Sequence, residues 1–197
     1  MDTLAIIELI VLALSAILII PQIFLMRKQL KDHHEEHRRE NTASIMHIWC
    51  NSLKKEASMS EDVVRKFTEE QCQHLYRHEP FKVSDEVIPS ICKFCTLSKE
   101  DCKTCTIMTE KKADGKILNE LRYQVISYLN MLETVMVSWH LGIVNREVIE
   151  NQFRFLIEDG KGMALDAFRR TAGGYPLIDS FIDEIKEKSP PQKKPLK

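Results

Sequence analysis

The chain opens on an apolar run with neither a helical stripe nor a strand-like alternation. Leu4 to Met26, "LAIIELIVLALSAILIIPQIFLM", carries one acidic side chain, Glu8, and no basic one. About 23 residues make a helix of roughly 35 Å, enough to cross a hydrocarbon core of about 30 Å. A helix that is apolar on every side has no face to turn toward water, so the pattern predicts a transmembrane anchor over residues 1–26. A cleaved signal peptide would place basic residues ahead of a shorter apolar core, whereas here Asp2 precedes the span. The basic residues Arg27, Lys28 and Lys31 follow it. Their position predicts a single-pass inner-membrane protein, N-terminus out, with everything after Arg27 in the cytoplasm. Glu8 is read as lying about one turn inside the interface, where it snorkels or protonates. Pro21 is read as a kink near the cytoplasmic leaflet.

Beyond the span the pattern turns polar and then periodic. "RKQLKDHHEEHRRE" is polar all round, after which Ile45, Ile48, Trp49 and Leu53 recur at helical spacing. Residues 27–58 therefore read as a juxtamembrane stalk and an amphipathic helix docking on a cytoplasmic domain. Ser60 is the expected N-cap of a helix over "EDVVRKFTEEQCQHLY", and "RHEPFKVSDEVIPS" a connection broken by Pro80 and Pro89. This gives a helix and loop over 59–83 and a cysteine-bearing segment over 84–110. The strongest periodicity in the polar part runs through Leu118, Leu121, Val125, Leu129, Leu132, Met136 and Trp139, ending at Gly142. Asn145 should cap a helix through "REVIENQFRFLIE", "DGKG" make a turn, "MALDAFRR" a short helix, and "PLIDSFIDEIKEK" a last helix begun by Pro176. These form a helical domain over 111–188, followed by a disordered tail, "SPPQKKPLK", over 189–197. No stretch alternates like a strand, and the expected class is all-α.

The motifs "LNxLE" and "HLGIV" within "YLNMLETVMVSWHLGIVNREVIENQF" lead from one helix into the next, behind an N-terminal span and a polar stalk. In this the chain resembles a family of small single-span prokaryotic membrane proteins catalogued only as a domain of unknown function. The likeness covers Leu118 to Ile157 plus the anchor. It implies a bacterial or phage membrane-tethered helical domain and brings no catalytic residues. Paired C-x-x-C motifs are not part of that family's pattern, so the cysteine segment looks like an insertion.

Composition bounds the rest. A chain of 197 residues holds one modest domain plus appendages, and a formal net charge of −1 argues against a nucleic-acid binder. Four of the 6 cysteines lie in "ICKFCTLSKEDCKTC" as Cys92-x-x-Cys95 and Cys102-x-x-Cys105. Four thiolates are what a closed tetrahedral structural zinc site needs, and each two-residue gap lets a pair reach one ion. Ser98 and Asp101 form a capping box that should start a helix near Lys99, bringing Cys102 and Cys105 onto one face. Lys93, Lys99 and Lys103 would offset part of the site's negative charge. Disulfides suit an oxidising compartment, ferredoxin-type runs are absent, and a thioredoxin-type pair would need a βαβ setting. The expected cofactor is thus a structural Zn²⁺ held by Cys92, Cys95, Cys102 and Cys105. Cys50 and Cys72 fall in helical patterns and read as buried small hydrophobes.

Other constellations carry less. His33-x-x-Glu36-His37 has the spacing of inverted zinc peptidases, but on a stalk without an apolar face it cannot line a substrate pocket. Cys72, His74 and His78 could add ligands near the zinc site, but read as a polar helix end. "GKG" is a turn, and His140 a helix C-terminal residue facing the dipole. No neighbouring nucleophile, base and acid assemble, so the chain is not expected to be an enzyme. The expected function is a membrane-anchored cytoplasmic interaction or adapter module, a subunit of a bacterial or phage-related complex. Its partners would be the lipid bilayer and a protein that the sequence does not name. The alternatives are a homo-oligomeric membrane effector or pore component, in which Glu8 matters, and an unrecognised metalloenzyme.

Overall fold

The computed structural model describes residues 3–53, 55–97, 115–157 and 165–188, with side chains omitted at 3–11, 13, 15, 16, 55, 56 and 95–97. Among the described residues every regular element is a helix. They are α1 (Thr3–Ser52), α2 (Lys55–Val64), α3 (Glu69–Tyr76), α4 (Ile88–Leu97), α5 (Gly115–His140), α6 (Arg146–Gln152), α7 (Asp166–Ala172) and α8 (Pro176–Lys188). A 3-10 turn over Arg154–Leu156 follows α6. The all-α class is as the periodicity predicts.

The centre of the fold is α5. All seven stripe residues from Leu118 to Trp139 are buried, and Ile117, Tyr128 and Val135 join them, so the helix buries more than one stripe. The reason is its position: α2 and α8 pack along it, α1 and α3 also reach it, α4 lies on α2 and α7 on α3. Each fully buried Leu or Val contributes about 1.5–3 kcal/mol. At the C-terminal end Trp139 meets Phe181 of α8 edge-on, ring centroids 5.0 Å apart. The helix stops as expected: Gly142 takes φ +68, its N–H donates to the Trp139 carbonyl, and the Ile143 N–H donates to that of Ser138. This pair of bonds satisfies carbonyls that the helix end would otherwise leave open.

Four local expectations are corrected. Ser60 is no N-cap; it is buried within α2, and its hydroxyl donates to the Ala57 carbonyl at 2.7 Å. Starting at Lys55 lets α2 bury Ala57 together with Val63 and Val64. The expected single helix over 61–76 is two, because Thr68 caps α3. Thr68 Oγ1 accepts the Gln71 N–H while the Gln71 side chain accepts the Thr68 N–H, a T-x-x-Q capping box legible in the sequence. Pro89 does not break a connection but sits in the first turn of α4, where its missing N–H costs nothing. Finally, Ile48 is 54% exposed, while Met46 joins Ile45, Trp49 and Leu53 against the core. At about 100° per residue, position 48 falls on the flank of the face that positions 42, 45, 46, 49 and 53 share.

Candidate functional site

Two regions carry the sequence's functional expectations: the long first helix and the cysteine segment. The 50 residues of α1 run without interruption from Thr3 through Pro21 to Ser52, about 75 Å. The expected stalk and amphipathic helix are therefore one element, continuous with the apolar run. Its last three turns are fastened to the domain. Asn41 Nδ2 donates to the Ile143 carbonyl at 3.2 Å, and Thr42 Oγ1 accepts the Asn145 N–H at 2.7 Å while donating to the Arg38 carbonyl at 2.6 Å. Trp49 then packs against Phe153 and Tyr128, with ring centroids at 5.0 and 5.8 Å. A shallow groove lined by Glu35, Arg38, Val144, Asn145 and Arg146 runs along this joint.

Further up, α1 leaves the domain. Leu12, Leu14, Ile17 to Ile20 and Ile23 to Met26 are all exposed. Consecutive positions such as 17–20 point to every side of a helix. Among the described residues no helix is long and apolar enough to cross a membrane. Of the expected span, however, the side chains of residues 4–11, 13, 15 and 16, Glu8 included, lie outside the described residues.

Cys92 and Cys95 occupy positions three apart on α4, so one helical turn carries the first C-x-x-C pair. This helix belongs to the core, for Ile91 and Phe94 are each 1% exposed. Cys102 and Cys105, and with them the Ser98–Asp101 capping box, lie outside the described residues, as do the "DGKG" turn and the 189–197 tail. Among the described residues no three His, Cys, Asp or Glu converge as a metal-binding group.

The remaining cysteines divide. Cys72 is buried, and that burial, with Glu69 nearby, pushes its thiol up to about 12. A thiol held protonated is a poor metal ligand and nucleophile. Cys50, expected to be buried, is exposed, since it falls beside rather than within the docked face of α1. His74 and His78 are engaged elsewhere: His74 Nδ1 lies 2.7 Å from Glu79 Oε2, and His78 Nδ1 lies 2.7 Å from Asn119 Oδ1. They do not gather with Cys72. His140 closes α5, and Arg146 covers that end by donating to the Trp139 and His140 carbonyls at 3.2 and 3.1 Å.

The motif residues behind the family resemblance perform structural work. Leu129 and Leu132 are core, Gly142 ends α5 and Val144 is buried. Glu133, the acidic residue of "LNxLE", accepts the Leu177 and Ile178 N–H groups at 3.0 Å each. It thereby caps the start of α8 from another helix. Sequence reading missed this role, because the contact spans 44 and 45 residues. A second distant network ties the other end of α8: Glu150 accepts from Trp139 Nε1 at 3.3 Å and from Lys188 Nζ at 2.9 Å.

Burial also shapes the α2–α5 contact. Glu61 pairs with Arg65, yet burial outweighs that pairing and raises the carboxyl above its usual range. Tyr128 is raised as well, chiefly by burial and then by the Glu61 charge. Comparison of this chain with protein-family models, with curated proteins and with solved structures finds no match.

Proposed function

We propose that the chain is a membrane-anchored interaction module of bacterial or phage-related origin. In this reading the N-terminal half of α1 crosses the inner membrane once, N-terminus out, and the helical domain lies in the cytoplasm. The observation that carries it is the set of exposed apolar side chains at Leu12, Leu14, Ile17 to Ile20 and Ile23 to Met26, on a helix continuous with the docked segment that begins at Asn41. Such a set is unfavourable in water on all sides and favourable in hydrocarbon. Continuity adds a mechanical consequence: an unbroken helix transmits the anchor's orientation to the domain, whereas a flexible linker would not.

Cys92, Cys95, Cys102 and Cys105 are the proposed ligands of a structural zinc. Support comes from the four-thiolate composition and from a helical turn that brings positions 92 and 95 together. A closed thiolate site assigns no catalytic step. The partner surface we propose is the α5–α6 corner, and the exposure of Leu141, Ile143 and Val148 there supports it.

Fractionation and topology test the anchor. The full chain should stay in the membrane pellet after alkaline extraction, and a reporter active only in the periplasm should be silent when fused after Lys197. Release into the supernatant, or a periplasmic signal, would reject it. For the partner surface, a photo-crosslinker at position 141 should capture a discrete species in cells, and one at the exposed Lys82 should not.

A further inference from the structure

A second set of metal-ligating side chains stands on the stalk, away from the cysteines. His33 and His37 are one turn apart on α1, with ring centroids at 4.4 Å and planes inclined by 26°. Two imidazoles at this i, i+4 spacing on a regular helix can reach one ion together. His37 Nδ1 lies 3.4 Å from Glu40 Oε2. A carboxylate on the Nδ1 side of the ring leaves the Nε2 side as the one to meet an ion, the usual arrangement around a metal-bound histidine.

The pair is also accessible. At about 100° per residue, positions 33, 37 and 40 share one side of α1, and the docked positions 42, 45, 46, 49 and 53 lie on the other. Both histidines are accordingly exposed. Their surroundings differ from a peptidase centre: among the described residues no third ligand joins them.

The geometry points to a two-histidine surface site, His33 with His37, for a borderline divalent transition ion such as Zn²⁺, Ni²⁺ or Cu²⁺. Imidazole nitrogen suits these ions, while Mg²⁺ and Ca²⁺ require oxygen ligands. Water completes the coordination. Glu40 is a positioning residue that sets the tautomer of His37 and does not touch the ion.

The test is calorimetric titration of the full chain in detergent, prepared without a polyhistidine tag, using Ni²⁺ as the probe. His33→Asn and His37→Asn should each weaken Ni²⁺ binding by about tenfold or more, since each turns a chelate into a single ligand. Glu40→Gln should weaken it by a smaller factor. His34→Asn, about 100° around the helix from His33, should leave it unchanged. All four positions are exposed, and the helical circular dichroism of each variant should match the parent. Unchanged Ni²⁺ affinity in either His33→Asn or His37→Asn would overturn the site, as would an equal loss in His34→Asn. Ni²⁺ held by the thiolates alone would survive both substitutions, and that result overturns it too.

Discussion

The backbone N–H of Asn145 donates to Thr42 Oγ1 at 2.7 Å, and the Asn145 side chain in turn accepts the Val148 N–H at 3.3 Å. The residue that starts α6 is thus itself held by α1, across 103 positions of sequence. Thr42 is 6% exposed, so little water is available to replace it. Thr42→Val keeps the shape but leaves the Asn145 N–H without its acceptor. That should cost about 1–3 kcal/mol. Urea denaturation measures the loss, and amide exchange at Asn145 should quicken. Asn145→Ala should cost about 1 kcal/mol on its own, and the two losses should not add.

Docking of the stalk rests on Trp49 rather than on Ile48. Trp49→Ala should cost about 3 kcal/mol, at the lower end for aromatic truncation because the ring is only partly covered. Ile48→Ala should stay within about 0.5 kcal/mol, as for other surface changes. Denaturation midpoints of the two variants against the parent decide it. Similar losses would mean that the face is rotated relative to the one described.

Glu133 joins the middle of α5 to the start of α8 through two charge-assisted hydrogen bonds. Glu133→Gln retains an acceptor but loses the charge and one of the two oxygens. It should cost about 1 kcal/mol, and Glu133→Ala about 2 kcal/mol. Amide exchange at Leu177 and Ile178 should rise in both, while the Gly142 end of α5 stays protected.

Alkaline pH should destabilise the domain through Cys72. Its folded-state thiol, pushed up to about 12, holds its proton after the unfolded chain has begun to release one near the usual value of about 8.5. The folded state then binds more protons than the unfolded state, so stability falls as pH rises from there toward about 12. Tyr128, also raised, acts in the same direction at higher pH. Urea midpoints at pH 8 and pH 10 should drop more in the parent than in Cys72→Ala. Equal drops would remove Cys72 as the cause.

Elemental analysis of the purified chain should find about one zinc and little iron, as a single four-thiolate site requires. Cys102→Ser should abolish the zinc that withstands dialysis, leaving at most an exchangeable ion on His33 and His37. Since Ile91 and Phe94 bind α4 into the core independently of any metal, helical circular dichroism should persist in that variant. Collapse of the helical signal would mean that the metal nucleates the domain. A folded, zinc-free parent would end the zinc assignment.

Local rules read from the sequence settle much of this molecule. The stripe from Leu118 to Trp139, the left-handed stop at Gly142, the Asn145 cap and the start of α8 at Pro176 each depend on residues within one or two turns of one another. Helical periodicity and capping chemistry act over that range, and so they are legible in one dimension. The T-x-x-Q box at Thr68 is equally local, but the helical pattern of the residues on either side runs on across it. What only the tertiary structure decided is which face of each helix meets another. Position 48 looks as apolar as position 49, yet the face that α1 turns to the core leaves Ile48 outside. Cys72 and Cys50 fit helical patterns equally well, and one is sealed while the other is exposed. Glu133 serves α8 and Thr42 serves α6 because the packing brings distant backbone N–H groups to carboxylate and hydroxyl oxygens. The free energy of those contacts depends on a geometry that exists only once the whole core has closed.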